Sequence, residues 1–122
     1  MARVLIYEPH DDISALLELV VRRLGHEPVR YAGSVDQIGI DAAVIEPGDS
    51  DGLSVARTLR DRSVPVLFTS IYPADDDLLA VQPAAYLVKP FPLYALERAL
   101  SGALEVAAAA VDAAAPAAAA AI

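Results

Sequence analysis

Cysteine is absent from the 122 residues of the chain. Its absence excludes disulfides, thiolate catalysis and cysteine-based metal sites, and it fits a cytoplasmic location, which is our expectation. Long apolar runs are also missing. Outside the alanine-rich end, no stretch reaches the roughly 20 apolar residues that a membrane-spanning helix needs. The apolar run in residues 1–7 is too short for a signal peptide. We therefore expect no membrane association.

Positive charge is scarce. The chain has 9 Lys and Arg residues against 17 Asp and Glu, a formal net charge of −8. Binding to a nucleic-acid backbone needs clustered cations, so we expect no nucleic-acid partner. The short basic groups, Arg22-Arg23 and Arg57/Arg60/Arg62, are interpreted as solvated helix faces. The length fits one domain with a single core.

Apolar runs alternate with segments of helical spacing along the chain. Short continuous runs at residues 4–7, 29–31, 43–45, 65–68 and 85–88 predict strands that are buried on both faces. Residues 12–24, the region after Asp51-Gly52, a short segment after Pro73 and the region from Leu93 onward predict helices, and residues 33–40 have room for about two helical turns. This alternation predicts an α/β fold of five βα units, a flavodoxin-like doubly wound parallel sheet with strand order 2-1-3-4-5.

The predicted topology locates a site. Right-handed crossovers leave a crevice at the carboxyl ends of strands 1 and 3, so residues 8–11 and 46–49 should meet there. Several aspartates precede or open helices: Asp11 or Asp12 and Asp51 are candidate caps, and the acids at 75–77 fall in a first turn. His10 is either a metal ligand beside Glu8 and Asp11 or an exposed loop histidine.

The chain end is low in complexity. We assign residues 1–112 to the domain and residues 113–122 to an alanine-rich C-terminal tail. Alanine favours helix, so the last helix is predicted to reach about Ala115, where Pro116 interrupts it. The tail is interpreted as solvated and frayed, with a docking segment as the alternative.

Three segments together resemble the response-regulator receiver domain of two-component signalling. They are Ala42-Ala43-Val44-Ile45-Glu46, Val64-Pro65-Val66-Leu67-Phe68-Thr69-Ser70 and Tyr86-Leu87-Val88-Lys89-Pro90-Phe91, and the similarity extends over about residues 3–105. The Lys89-Pro90 pair is the most specific match.

The resemblance implies a role for each matching position. Glu46 takes the place of the aspartate that accepts a phosphoryl group, and Glu8 matches the first acid of a cation-binding pair, with Asp11 nearby. Ser70, or alternatively Thr69, matches the hydroxyl that binds the phosphoryl group. The remaining matches are Lys89, which pairs with that group, Pro90 after it, and Tyr86 at the aromatic switch position.

Two departures from the family pattern bear on this chemistry. Pro9 stands where the family has a second acid, which removes a carboxylate ligand for Mg²⁺. Glu46 is one methylene longer than aspartate, which moves its carboxylate by about 1.5 Å, and a misplacement of about 1 Å can cost ~10²-fold in rate. We therefore predict weak or absent Mg²⁺ binding, no conventional phosphorylation and no enzymatic activity. Glu46 either pairs with Lys89 or is a solvated loop carboxylate.

Three functions remain open from the sequence. The first is an atypical receiver that acts as an interaction module for a kinase, an effector or a second copy, through the short helix after Pro73, the fifth strand and the last helix. The second is a working phosphoacceptor that uses Glu46 or Asp49 in a phosphorelay. The third is a flavodoxin-like small-molecule binder or enzyme. The acidic segment 8–12 argues against this third reading, because it would repel a phosphate group.

Overall fold

A five-stranded parallel sheet with helices on both faces organises the chain. The computed structural model describes residues 1–34, 39–48 and 51–120, with side-chain surroundings described to residue 109. The elements are, in order, β1 (Arg3–Tyr7), α1 (Asp11–Arg23), β2 (Glu27–Arg30), β3 (Ala42–Ile45), α2 (Gly52–Asp61), β4 (Val66–Ser70), α3 (Asp76–Leu79), β5 (Ala85–Val88) and α4 (Leu93–Ala120). Of the predicted helical turns at residues 33–40, the central residues 35–38 lie outside the described residues.

The strands are arranged in the order β2-β1-β3-β4-β5, and all neighbours are parallel. The flavodoxin-like topology predicted from the sequence is therefore confirmed. β1, β3 and β4 occupy the centre, and nearly all of their residues are buried. Burial on both faces explains why these strands are continuous apolar runs rather than alternating ones.

Two hydrophobic clusters cover the two faces of the sheet. One joins the sheet to α1 and α4, with Leu17, Val20, Leu96 and Leu100 at its centre. The other joins the opposite face to α2 and is centred on Leu59 and Phe68. Successive side chains along a strand point to opposite faces of the sheet, so neighbouring residues belong to different clusters.

Three details of the helix ends differ from the predictions. His10, not Asp11 or Asp12, occupies the cap position of α1, and these two aspartates lie in the first turn, where they face the positive end of the helix dipole. Asp51 does precede α2, but its side chain makes no capping hydrogen bond. Asp75, predicted to lie in the first turn of α3, instead caps that helix, because its carboxylate accepts a hydrogen bond from the Leu78 amide at 2.9 Å.

The last helix continues through Pro116 to Ala120, so the predicted interruption was wrong. Proline removes one backbone donor, and the alanines on both sides of it have the highest helix propensity of any residue. The alanines therefore favour a helix that continues past the proline.

Candidate functional site

The carboxyl ends of β1, β3 and β5 place three charged residues at one edge of the sheet. Tyr7 is paired with Ile45 in the register of β1 and β3, so the residues that follow them, Glu8 and Glu46, are neighbours. The Glu46 amide extends this pairing, donating to the Tyr7 carbonyl at 2.9 Å. Lys89 follows β5, and its amide donates to the Ser70 carbonyl at 2.7 Å. The topology alone thus brings two acids and one base to the same crevice.

Lys89 bridges the two carboxylates. Its Nζ lies 2.6 Å from Glu8 Oε1 and 2.9 Å from Glu46 Oε2, and both contacts are hydrogen-bonded ion pairs. Lys89 is also the only lysine in the sequence. We call Glu8, Glu46 and Lys89 the lysine bridge. Two carboxylates and one ammonium give it a formal charge of −1.

The lysine bridge is largely removed from solvent. The Glu8 side chain is 0% exposed, and those of Glu46 and Lys89 are each 12% exposed. Glutamate and lysine are rarely buried to this degree unless they are paired. Burial by itself lowers the pKa of Lys89, but the hydrogen bonds and charges of Glu8 and Glu46 outweigh that effect and hold the pKa above its ordinary value. The Lys89 side chain is therefore held in its protonated, positively charged form.

The remaining carboxylate oxygens also have partners. Glu46 Oε1 accepts a hydrogen bond from the Gly48 amide at 2.8 Å. Glu8 Oε2 accepts one from the His10 amide at 3.1 Å and lies 3.2 Å from His10 Nδ1. Each carboxylate is thus held at both oxygens, by the shared lysine on one side and by its own following loop on the other. The His10 ring itself is mostly exposed.

Two glycines allow the loop after β3 to close around Glu46. A Cβ at Gly48 would lie 2.9 Å from Glu46 Oε1, and a Cβ at Gly52 would collide with the Glu46 carbonyl and crowd Pro47 Cα. The start of α2 can therefore pack against the end of β3 only because residue 52 lacks a side chain. Asp49, the alternative phosphoacceptor considered above, lies outside the described residues.

Asp11 is close to this crevice but is not part of the lysine bridge. It shares with Glu8 the lining of an open cavity of about 270 Å³. Its carboxylate is 93% exposed and lies 3.9 Å from Arg30 Nη1. The first turn of α1 thus turns this acid toward solvent, whereas the end of β1 turns Glu8 inward.

The two hydroxyl candidates on β4 differ in their environments. Ser70 is buried, and its Oγ accepts a hydrogen bond from the Tyr72 amide at 3.2 Å. Thr69 is fully buried, and its hydroxyl has no hydrogen-bond partner within the described part of the chain. By strand alternation, Thr69 falls on the same face of β4 as Leu67. An unpaired buried hydroxyl is unusual.

The aromatic switch candidate is held by a contact that the sequence did not predict. The Tyr86 hydroxyl donates to the Tyr72 carbonyl at 2.8 Å, and its ring packs edge-on against Phe68 at a centroid distance of 6.1 Å. Tyr86 is half-buried. Pro90, joined to Lys89 by a cis peptide bond, lines an apolar groove of about 380 Å³. One feature of the sequence could have predicted the contact with Tyr72. This residue lies two positions after Ser70, the end of β4, in a loop that passes the end of β5.

Two further properties of the described residues bear on function. Within residues 1–34, 39–48 and 51–120, no three acidic, histidine or cysteine side chains are grouped so that they could hold a metal ion. Nor does any helix in that part of the chain combine the length and apolarity required to cross a membrane.

The fold is that of response-regulator receiver domains. A response regulator from Thermotoga maritima has 14% sequence identity, a TM-score of 0.74, and coverage of 86% of this chain and 98% of that one. A chemotaxis protein from Vibrio cholerae has 20% identity, a TM-score of 0.74, and coverage of 85% and 99%. An orphan response regulator of H. pylori has 20% identity, a TM-score of 0.70, and coverage of 84% and 96%.

Similarity to known proteins is thus structural. No protein-family model matches the sequence, and no curated protein matches it. At these identities the shared property is the receiver architecture, a five-stranded doubly wound sheet, and it covers most of this chain.

Proposed function

We propose that the protein is an atypical receiver: a cytoplasmic interaction module in two-component or related signalling, without enzymatic activity and without conventional phosphorylation. The lysine bridge is the observation that carries this proposal. A phosphoacceptor needs a carboxylate oxygen free to attack phosphorus in line with its leaving group. Both oxygens of Glu46 already accept a hydrogen bond, one from Lys89 and one from the Gly48 amide, which hold the carboxylate in a fixed orientation.

The charge arrangement supports the same proposal. A carboxylate paired to an ammonium at 2.9 Å is a poorer nucleophile than a free one, because the ammonium stabilises the negative charge that the attack on phosphorus would use. Glu46 is also longer than aspartate by one methylene. Its carboxylate therefore lies about one C–C bond beyond the position that aspartate would occupy, a displacement large enough to slow a transfer reaction ~10²-fold or more.

The residues present do not fit the Mg²⁺ that phosphoryl transfer in receivers uses. Mg²⁺ requires oxygen ligands in near-octahedral geometry, commonly with carboxylates among them. Pro9 offers no side-chain oxygen, and the Glu8 carboxylate is committed to Lys89 and His10. Binding of the ion would therefore have to break a buried ion pair. We propose that Mg²⁺ binding is weak or absent.

The proposed partner surface is the face formed by α3, β5 and α4. β5 is an edge strand of the sheet, and large apolar side chains are exposed on all three elements, among them Leu79 on α3, Val88 on β5 and Tyr94 on α4. Exposed apolar side chains on a sheet edge are typical of interaction surfaces. A kinase, an effector or a second copy of the chain would bind there.

A phosphorylation assay tests the proposal. The protein is incubated with acetyl phosphate and Mg²⁺ and then analysed by intact-mass spectrometry. We expect no phosphoryl adduct on the native chain, whereas the double variant Pro9→Asp, Glu46→Asp should acquire one, because it restores the missing ligand and the shorter acceptor.

Two outcomes count against the proposal. An adduct on the native chain that disappears in Glu46→Gln would establish the alternative of a working phosphoacceptor, and an adduct lost in Asp49→Asn would place the same activity on the following loop. Circular dichroism of the double variant serves as the folding control, so that a missing adduct on that variant is not confused with an unfolded chain.

A further inference from the structure

A second candidate site lies at the amino-terminal edge of the sheet, opposite the lysine bridge. An open groove of about 550 Å³ runs between the end of α2, the loop before β5 and residues 98–107 of α4. Arg60 and Arg98 line it from α2 and α4. An adjoining cavity of about 290 Å³ shares Arg60 and Gln82 with the groove and adds Arg57. We call the combined surface the arginine groove.

The arginines of this groove are not paired with acids. In the part of the chain that the structure describes, none of Arg57, Arg60 and Arg98 forms an ion pair, although acids outnumber bases by 17 to 9. Arg60 Nε donates only to the Val81 carbonyl at 3.3 Å, and the Arg98 guanidinium lies 5.7 Å from the ring centre of Tyr94.

Arginines elsewhere in the chain behave differently. Arg30 forms a close pair with Glu18, with 2.6 Å between Nε and Oε1, and Arg3 lies 3.3 Å from Glu27. Asp61 also lines the adjoining cavity, but it forms no ion pair with these arginines. In a chain with a net charge of −8, three guanidiniums that share one groove with a single acid leave binding capacity for an external carboxylate.

The wall of the groove is apolar and shallow. It consists of small residues of α4, including Ala99, Gly102 and Ala103, followed by the strongly exposed Val106. A Cβ built on Gly102 would meet no atom within 4 Å. The groove therefore combines a wall that another chain can approach closely with cations from two different elements.

We propose that the arginine groove docks an acidic amphipathic segment of a partner protein. Carboxylates of that segment pair with Arg60 and Arg98, since the planar guanidinium matches a carboxylate in bidentate geometry. Its aliphatic side chains cover Gly102 and Val106. A nucleic acid fits less well, because the lining offers no aromatic platform for bases and the chain as a whole repels phosphates.

The test uses a fluorescein-labelled peptide of about 14 residues with Glu and Leu at helical spacing, the pattern of a groove-binding helix. Fluorescence anisotropy at low salt should show saturable binding. The double variant Arg60→Gln, Arg98→Gln should weaken it about tenfold or more. The matched control, Arg22→Gln with Arg23→Gln, removes the same charge from α1 and should change the affinity by less than about twofold.

A variant that fills the groove distinguishes binding in a defined groove from nonspecific electrostatic attraction. Gly102→Leu adds a side chain to the wall at a position where a Cβ meets no atom within 4 Å, so the chain should fold with an unchanged or higher unfolding midpoint while the peptide affinity falls. Three results would each overturn the proposal: no saturable binding to the native protein, equal losses in the two arginine pairs, or unchanged affinity in Gly102→Leu. Equal competition by a single-stranded oligonucleotide of the same net charge would also overturn it, in favour of unspecific polyanion binding.

Discussion

Lys89 is the residue on which the site depends. It pairs with two carboxylates that follow two different strands, one of them fully buried. A buried ion pair of this kind contributes little net stability compared with an apolar replacement of the whole group, but removal of one member leaves the others charged and unpaired. The lysine bridge is therefore easy to damage by a single substitution.

Lys89→Met is expected to lower the free energy of unfolding by about 3 kcal/mol, because it leaves Glu8 and Glu46 facing each other without a cation. Urea unfolding followed by circular dichroism measures the change. The control is Arg23→Met, which removes a cation from a mostly exposed pair with Glu97 at 3.8 Å and should cost less than about 1 kcal/mol. Equal losses in the two variants would show that the lysine bridge has no special role.

The raised pKa of Lys89 gives the bridge a pH dependence on the alkaline side. A base whose pKa is higher in the folded state than in the unfolded chain adds stability that is fully present below its ordinary pKa of 10.5 and is lost as the pH rises through the folded value. Native protein should therefore lose stability above about pH 10.5 relative to Lys89→Arg, whose guanidinium stays charged. Parallel pH curves for the two proteins in urea would contradict this expectation.

Part of this site could be predicted from the sequence. The topology brings residues after β1 and β3 together, and the predicted pair of Glu46 with Lys89 is present at 2.9 Å. The second contact, from Lys89 to Glu8, was not predicted. Which partners a long side chain reaches depends on the direction in which it leaves the end of its strand, and the sequence does not show that direction. Asp11, three residues further on, instead lies in the first turn of α1, which directs it to solvent.

Among the structural elements, the junction between β3 and α2 is the most constrained. α2 begins directly against the backbone that carries Glu46, and Gly52 is the point of closest approach. Gly102 in α4 is its opposite: it lies within a helix and has open space where a side chain would be. Glycine is thus required at position 52 for steric reasons, whereas at position 102 it only lowers the helix propensity.

Gly52→Ala should destabilise the protein, because its methyl group would collide with the Glu46 carbonyl and shift the acid away from Lys89. We expect a loss of at least about 2 kcal/mol, the size typical of forced overpacking. Gly102→Ala should instead raise stability by about 0.5–1 kcal/mol through improved helix propensity. Thermal unfolding measures the stability change of both variants. A stabilised Gly52→Ala would contradict the conclusion that position 52 has no room for a side chain.

The elements themselves were easier to predict than their ends. Central strands such as β3 and β4 are continuous apolar runs, and α1 has a clear apolar face, so their types follow from pattern alone. Their boundaries shifted by a few residues, because strand ends are set by pairing with neighbours. β2, for example, begins at Glu27, where its pairing with Arg3 begins.

For the molecule as a whole, the two proposed surfaces occupy different places. The α3–β5–α4 face presents apolar side chains, whereas the arginine groove at the amino-terminal edge of the sheet presents cations. A second copy of the chain would use the first surface. If the protein forms dimers there, Val88→Glu with Tyr94→Glu should abolish self-association, since paired carboxylates would be desolvated at the interface.

Sedimentation velocity over a range of protein concentrations measures this association. If the native protein dimerises through this face, it should sediment faster as its concentration rises, and the double variant should stay monomeric. Leu16→Glu with Leu19→Glu is the matched control, because these two residues are exposed to a similar degree on α1. A dimer that survives in the first variant and dissociates in the control would move the interface to α1.

The central claim is that the lysine bridge leaves the chain without a conventional phosphoacceptor site, and one NMR titration tests it most directly. Amide spectra of the ¹⁵N-labelled protein are recorded with increasing Mg²⁺ and beryllofluoride, which imitates a phosphoryl group on an acceptor carboxylate. We predict no saturable shifts at Glu8, Glu46, Tyr86 or Lys89, because Glu46 is already paired with Lys89. Saturable shifts at these residues, with a stoichiometry of about one, would contradict the account.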